Sequence, residues 1–189
     1  MFLTDKRGLC EREWTLCEIF WLVIFIVIAC TICDKKPSNF KLHVCPYNDE
    51  YQNAYYKNYK NKYLGDSGVD LVLSYNVSLE SNRYTVIEYF STFAMTNKWN
   101  QRTSFYMFAR SSLSRYPLVF VNGVGVIDAG FQGNLSTTIY NPNNYTINLT
   151  KGMKVVQICS PDLSRLDVTI DCQIESYGTR GNKGFGSSG

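Results

Sequence analysis

The chain has 189 residues, too few for two substantial domains and enough for one real core. Its formal net charge of +3 is too modest to point to a nucleic-acid partner. Of seven cysteines, Cys10, Cys17, Cys30 and Cys33 precede the domain-like stretch, and Cys45, Cys159 and Cys172 sit in apolar or strand-like runs. That distribution reads as reduced, mostly buried thiols, and the lone CxxC spacing of Cys30 and Cys33 lacks the second ligand pair a zinc site needs.

In chain order, the first feature is an apolar run. Residues 19–33 carry no charge, and from Trp14 onward only Glu18 interrupts the run. As a helix, residues 14–33 would span about 30 Å, enough for a bilayer core, with a signal-peptide core as the rival. Lysines and arginines flank the run on both sides, so charge bias does not orient it. Asn76, Asn134, Asn144 and Asn148 begin N-x-[ST] sequons, and a glycan on Asn134 would crowd the glycine-rich stretch just before it, which argues against a glycosylating lumen. The expectation is an N-terminal membrane anchor with a cytosolic domain; a soluble cytoplasmic or nuclear protein is the alternative.

A polar linker at 34–38 leads to a strand at 40–45. Residues 49–63, rich in Tyr, Asn and Lys without an apolar period, read as an irregular loop. Short β-rich segments follow at 69–75, 83–93, 104–108, 118–121, 124–127, 135–140, 145–149, 154–159 and 167–174, with room for a turn at 91–98. Asn122-Gly123 between two apolar runs predicts a β-hairpin. The class is all-β, a sandwich or barrel.

Asp128 ends the apolar strand after that turn, and burying an unpaired carboxylate is costly. Upstream, Arg110-Ser111-Ser112 sets a cation and two hydroxyls together, suited to phosphate oxygens. Arg110-Ser-Ser-Leu and Asn122-Gly-Val-Gly125-Val126-Ile127-Asp128-Ala-Gly-Phe131-Gln-Gly resemble motifs two and three of the trimeric dUTPase family. Asp66-Ser-Gly-Val-Asp70-Leu resembles motif one, Gly152-Met-Lys-Val-Val-Gln157 motif four, and Arg180-Gly-Asn-Lys-Gly-Phe185-Gly186-Ser187-Ser-Gly the glycine-rich motif five. The resemblance covers roughly the last 150 residues, a normal domain size.

The resemblance implies a distorted jelly-roll β-barrel in a homotrimer with shared active sites, behind an N-terminal hydrophobic helix. The expected domains are an N-terminal segment at 1–38 with the anchor at 14–33, a barrel at 39–176 and a mobile lid at 177–189. The implied activity is hydrolysis of dUTP to dUMP and pyrophosphate, with Asp128 the general base for a water that attacks the α-phosphorus. Arg110, Ser111, Ser112, Gln157 and Arg180 would face the phosphates, with Asp70 touching Mg²⁺ through water. Main chain around Asn122, Gly125, Val126 and Ile127 would read uracil, Phe131 would pack on the deoxyribose in place of the family's tyrosine, and Phe185, Gly186 and Ser187 would close the lid. Met153-Lys154 stands where the family has an acid and an arginine.

Two other readings stay open. dCTP deaminase shares the fold and resembles the same central stretch, but its glutamate corresponds to Thr138 here. An inactive, membrane-tethered dUTPase-like binding module is the non-enzymatic alternative.

Overall fold

The computed structural model describes residues 15–33, 38–46, 49–60, 63, 65–173 and 181. The chain divides into two units, Met1–Pro37 and Ser38–Gly189.

In the first unit, helix α1 (Leu16–Cys33) forms from a run without glycine or proline. Its 18 residues amount to about 27 Å, short of a hydrocarbon core of about 30 Å. It starts two residues after Trp14, and its first turn carries Glu18. Among the described residues no helix is long and apolar enough to cross a membrane. The expected membrane anchor at 14–33, and with it the anchored localisation, is overturned.

The second unit is mostly β. Strand β1 (Phe40–Pro46) buries Leu42 and Val44. The expected irregular loop after it is instead opened by a helix, α2 (Glu50–Lys57). Asp49 caps it, accepting from Tyr51 N at 2.8 Å and Gln52 N at 3.0 Å. The helix escapes a periodicity search because its buried face is Gln52 and Tyr56 rather than aliphatic residues. The Gln52 amide donates to Val72 O and Tyr89 O, both at 2.8 Å, and accepts from Ser91 Oγ at 2.5 Å. A fully buried amide is thereby satisfied.

β2 (Gly68–Val72) and β3 (Val77–Leu79) follow, then the 15-residue β4 (Arg83–Asn97). The expected turn at 91–98 is continuous strand up to Asn97. The irregularity lies just before it, where register shifts between Glu88 and Thr92 and Phe90 takes φ 43°. The remaining elements are β5 (Arg102–Thr103), β6 (Phe105–Ala109), a 3-10 helix (Ser111–Arg115), β7 (Val119–Phe120), β8 (Val124–Ile127), β9 (Asn134–Asn141), β10 (Ile147–Leu149), β11 (Lys154–Cys159) and β12 (Leu166–Ile170). One sheet runs β12-β1-β4-β9-β7 with β5 also on β4; a second runs β2-β11-β6-β8; β10 pairs with β3. Buried residues of all these sheets, among them Leu42, Ile87, Leu71, Met107, Ile158 and Leu149, form one core.

The predicted hairpin is absent. β7 pairs with β9 in the first sheet, and β8 pairs with β6 in the second. A turn does form here, but one residue earlier: Gly123 N donates to Phe120 O at 3.2 Å, so Val121 and Asn122 are its central residues. A tight two-residue hairpin of the Asn-Gly kind needs positive φ at both central residues, and only Gly123, at φ 62°, has it. The turn therefore splays the strands and passes the chain from one sheet to the other.

Cys45 and Cys172 are disulfide-bonded, which corrects their reading as thiols. β1 and β12 are parallel neighbours, Val44 facing Ile170, so Cys45, the next residue of β1, lies within reach of Cys172, two residues past the end of β12, with Cα atoms 4.6 Å apart. Cys159 is a buried free thiol, its pKa raised by burial to about 11.

Candidate active site

β2, β11 and β6 carry one half of the expected site. Asp70 of β2 faces Gln157 of β11, which faces Phe108 of β6. Arg110, one residue beyond β6, is tied by its main-chain N to Val155 O at 2.9 Å. Its side chain donates from Nε to Asp70 Oδ1 at 2.6 Å, and from Nη1 to Lys154 O at 3.1 Å and Ser112 Oγ at 3.3 Å. Lys154 Nζ lies 3.8 Å from Asp70 Oδ2 and 4.4 Å from the centre of the Tyr55 ring. Lys154, one of the two residues at which the motif-four resemblance breaks, thus makes a salt bridge. Burial raises the Asp70 pKa, against the downward pull of Arg110 and Lys154, and the balance is upward. The cluster is an immobilised pair of cations about one carboxylate, suited to a polyanion.

Gln157 owes its place to a glycine. A Cβ on Gly68 would lie 2.2 Å from Gln157 Oε1, so the carboxamide rests against the bare Cα of motif one. Ser112 is half-buried beside Arg110, and Ser111 is exposed at the start of the 3-10 helix.

The sequence did not reveal the tyrosines around this cluster, on α2 and just past its end. Tyr56 Oη donates to Asp70 O at 3.4 Å, and Tyr59 Oη to Gly68 O at 3.1 Å. Burial, and then the Asp70 charge, push the Tyr59 phenol up to about 12; Tyr55 is raised for the same two reasons. Tyr55 and Tyr56 lie on α2 and Tyr59 just past its C-cap Asn58, and that run of tyrosines was the available signal.

The second half lies along β8. Asn122 is in the turn entering it, Gly125, Val126 and Ile127 are on it, and Asp128 follows its end beside β6, where Ile127 faces Phe105. Residues 128–131 form a turn, with Phe131 N donating to Asp128 O at 3.0 Å. Its inner residue is held at both polar groups. Ala129 N donates to Ser104 Oγ at 3.2 Å, while Ala129 O accepts from Arg102 Nε at 3.1 Å and Nη2 at 2.9 Å. Sequence reading missed both Arg102 and Ser104. The Phe131 ring lies over Gly133, where a Cβ would come within 2.8 Å of Cζ. Gly181 runs beside Phe131, accepting from Gln132 N at 3.0 Å. Arg180, Phe185, Gly186 and Ser187 lie outside the described residues.

A single chain does not bring the halves together. Arg110 follows the C-terminal end of β6 and Asp128 lies beside its N-terminal end, near Ser104. Six residues of extended strand separate those levels by about 20 Å.

Among the described residues no group of three or more His, Cys, Asp or Glu side chains could hold a metal ion. Asp70 meets Arg110 and Lys154 with its two oxygens. A lone carboxylate so engaged fits a magnesium ion carried on a phosphate ligand and touched through water, not one caged by protein.

The dUTPase family model matches residues 54–189. The chain is 30% identical over 129 residues to the deoxyuridine 5'-triphosphate nucleotidohydrolase of Rhodococcus erythropolis, covering 66% of this chain and 74% of that protein. It is 42% identical over 57 residues to the dUMP-forming dCTP deaminase of a Hydrogenobaculum species; that match covers 30% of this chain and only 32% of the deaminase. The solved Staphylococcus bacteriophage 80alpha dUTPase with dUPNHPP superposes with a TM-score of 0.50 at 22% identity, over 79% of this chain and 98% of that one. That likeness bears on the fold alone.

Proposed function

As the chain belongs to the dUTPase family, we propose that it hydrolyses dUTP to dUMP and pyrophosphate in a homotrimer of jelly-roll barrels with shared sites. The observation that carries the reading is the Asp70–Arg110–Lys154 cluster with Gln157 beside it. It supplies preset cations and a neutral amide for a triphosphate, whose charge no single exposed arginine would orient. Arg110 cannot drift, because its main chain and guanidinium are both anchored to β11.

Asp128 takes the proton of a water that attacks the α-phosphorus. The bond from that phosphorus to the bridging oxygen breaks, and pyrophosphate leaves with its electron pair. Asp70 would hold, through water, a magnesium ion carried on the triphosphate, and that ion would offset the charge of the phosphates. The β8 main chain is matched to the carbonyl, N–H, carbonyl edge of uracil, and the Phe131 ring to the flat face of a sugar without a 2′-hydroxyl. The separation of Asp128 from Arg110 within one chain supports sharing. A complete site then takes Asp70, Arg110 and Gln157 from one copy and Asp128 and Phe131 from another.

Deamination is not favoured. Residues 134–141 contain no acid, and the deaminase match is short. The test is pyrophosphate release by the purified protein across the common deoxynucleotides with Mg²⁺. dUTP should be the preferred substrate, and Asp128→Asn should lower turnover about 10²–10⁴-fold. Equal turnover by Asp128→Asn would remove this residue from the mechanism; no release from dUTP would overturn the activity.

A further inference from the structure

We propose that Arg102, seconded by Ser104, is a positioning residue that selects one of two conformations for the turn joining Asp128 to Phe131, and so sets catalytic base and sugar-reading ring together. The inference rests on the reading of Asp128 and Phe131 given above.

The turn has Ala129 and Gly130 at its inner positions. Turns of types I and II differ chiefly by a flip of the peptide between these positions, and glycine at the second of them permits either type. The carbonyl of that peptide is Ala129 O. The Arg102 fork grips it with two donors, Nε at 3.1 Å and Nη2 at 2.9 Å. A flip would turn this oxygen away from the guanidinium and break two charge-assisted hydrogen bonds at once. Ser104 holds the preceding peptide through Ala129 N at 3.2 Å. Gly130 is not among the glycines with positive φ, so the turn is held in the form that type II excludes.

The clamp has the leverage to matter. Arg102 comes from β5, which pairs with β4 in the first sheet, whereas Asp128 ends β8 of the second. The guanidinium thus references the reacting end of one sheet to the frame of the other. Nothing in the Asp128–Phe131 hydrogen bond itself distinguishes the two turn types, since both close the same ring of atoms. Lysine cannot replace the fork, because it brings a single point donor in place of two fixed ones.

The flip alone leaves the turn closed, but release from β5 frees the whole 128–131 segment from the first sheet. Displacement of its two ends should then damage two separable properties. A misplacement of about 1 Å at the base costs about 10²-fold in turnover. A displaced Phe131 should lower the preference for dUTP over UTP about 10-fold. The experiment measures kcat, KM and the dUTP/UTP ratio for wild type, Arg102→Ala, Arg102→Lys and Ser104→Ala, each verified as folded and of wild-type mass in solution. Arg102→Ala is also assayed with added millimolar guanidinium. The expected result is a loss of kcat and of sugar preference together in Arg102→Ala, a smaller loss in Arg102→Lys, and partial recovery of both by guanidinium. If the folded Arg102→Ala protein keeps kcat and sugar preference within about 2-fold, or only its melting temperature falls, the clamp is structural and the proposal is overturned. If Arg102→Ala does not fold, Arg102→Lys and Ser104→Ala decide by the same criteria. A second readout is independent of the reaction. Amide exchange at Ala129 and Phe131, whose N–H groups donate to Ser104 Oγ and Asp128 O, should accelerate in the Arg102 variants even if the wild type proves inactive toward dUTP, and unchanged exchange there would overturn the clamp alone.

Discussion

Removing the Cys45–Cys172 bond should cost this domain a large part of its stability while leaving its strands paired. The bond joins residues 127 apart in sequence. In the chain-entropy description a loop of that length costs the unfolded chain about 5 kcal/mol, which is an upper figure because real unfolded chains keep some structure. The folded state should tolerate its loss. β1 and β12 stay paired from Phe40–Leu166 to Val44–Ile170, Asp171 N still donates to Val44 O at 3.0 Å, and His43 Nδ1 remains 3.0 Å from Asp171 Oδ2. The assay is urea unfolding at constant protein concentration for the oxidised wild type, the wild type with reductant, and Cys172→Ser. With an m-value near 2 kcal/mol/M, the midpoint should fall by about 2 M in both perturbed samples. Peptide mapping without reduction should recover a Cys45–Cys172 cross-link. A midpoint in Cys172→Ser within about 0.3 M of the oxidised wild type would refute the entropic reasoning. Free thiols at both positions in the unreduced protein would refute the bond.

Gly68→Ala should spare the fold and injure binding, because its new Cβ meets the flexible end of Gln157 rather than backbone. KM for dUTP should rise about 10-fold with kcat less affected, and a fall in melting temperature with unchanged KM would refute the role given to Gln157. Subunit mixing tests the shared site. Arg110→Ala and Asp128→Asn should each be inactive alone, and co-refolding them should restore activity at those sites that take Arg110 and Asp128 from unmutated copies. Mixed assemblies confirmed by mass that recover nothing would mean both residues serve from one chain.

What the sequence made legible was whatever local periodicity and residue chemistry specify. The β-rich segments, Asp128 at a strand end and the Arg110-Ser111-Ser112 step all lie where those signals put them. What it concealed depends on partners distant in the chain. α2 hides its face behind a buried glutamine whose three hydrogen bonds come from Val72, Tyr89 and Ser91. Cys45 and Cys172 look unrelated until β1 and β12 are known to be parallel neighbours. Arg102 is an ordinary strand arginine until Ala129 O is placed before it. The Asn122-Gly123 step is the most instructive case, since a turn forms there, but one residue earlier than the expected hairpin would place it. A hairpin would have kept β7 and β8 together in one sheet. The corner instead hands β8 to the edge of the second sheet beside β6, and that antiparallel pairing places Asp128 at the opposite end from Arg110. The offset of about 20 Å along β6 between the levels of Asp128 and Arg110 follows from that change of sheet. This placement is what the proposed sharing would use, the β8 end of one copy meeting the Asp70–Arg110 cluster of another.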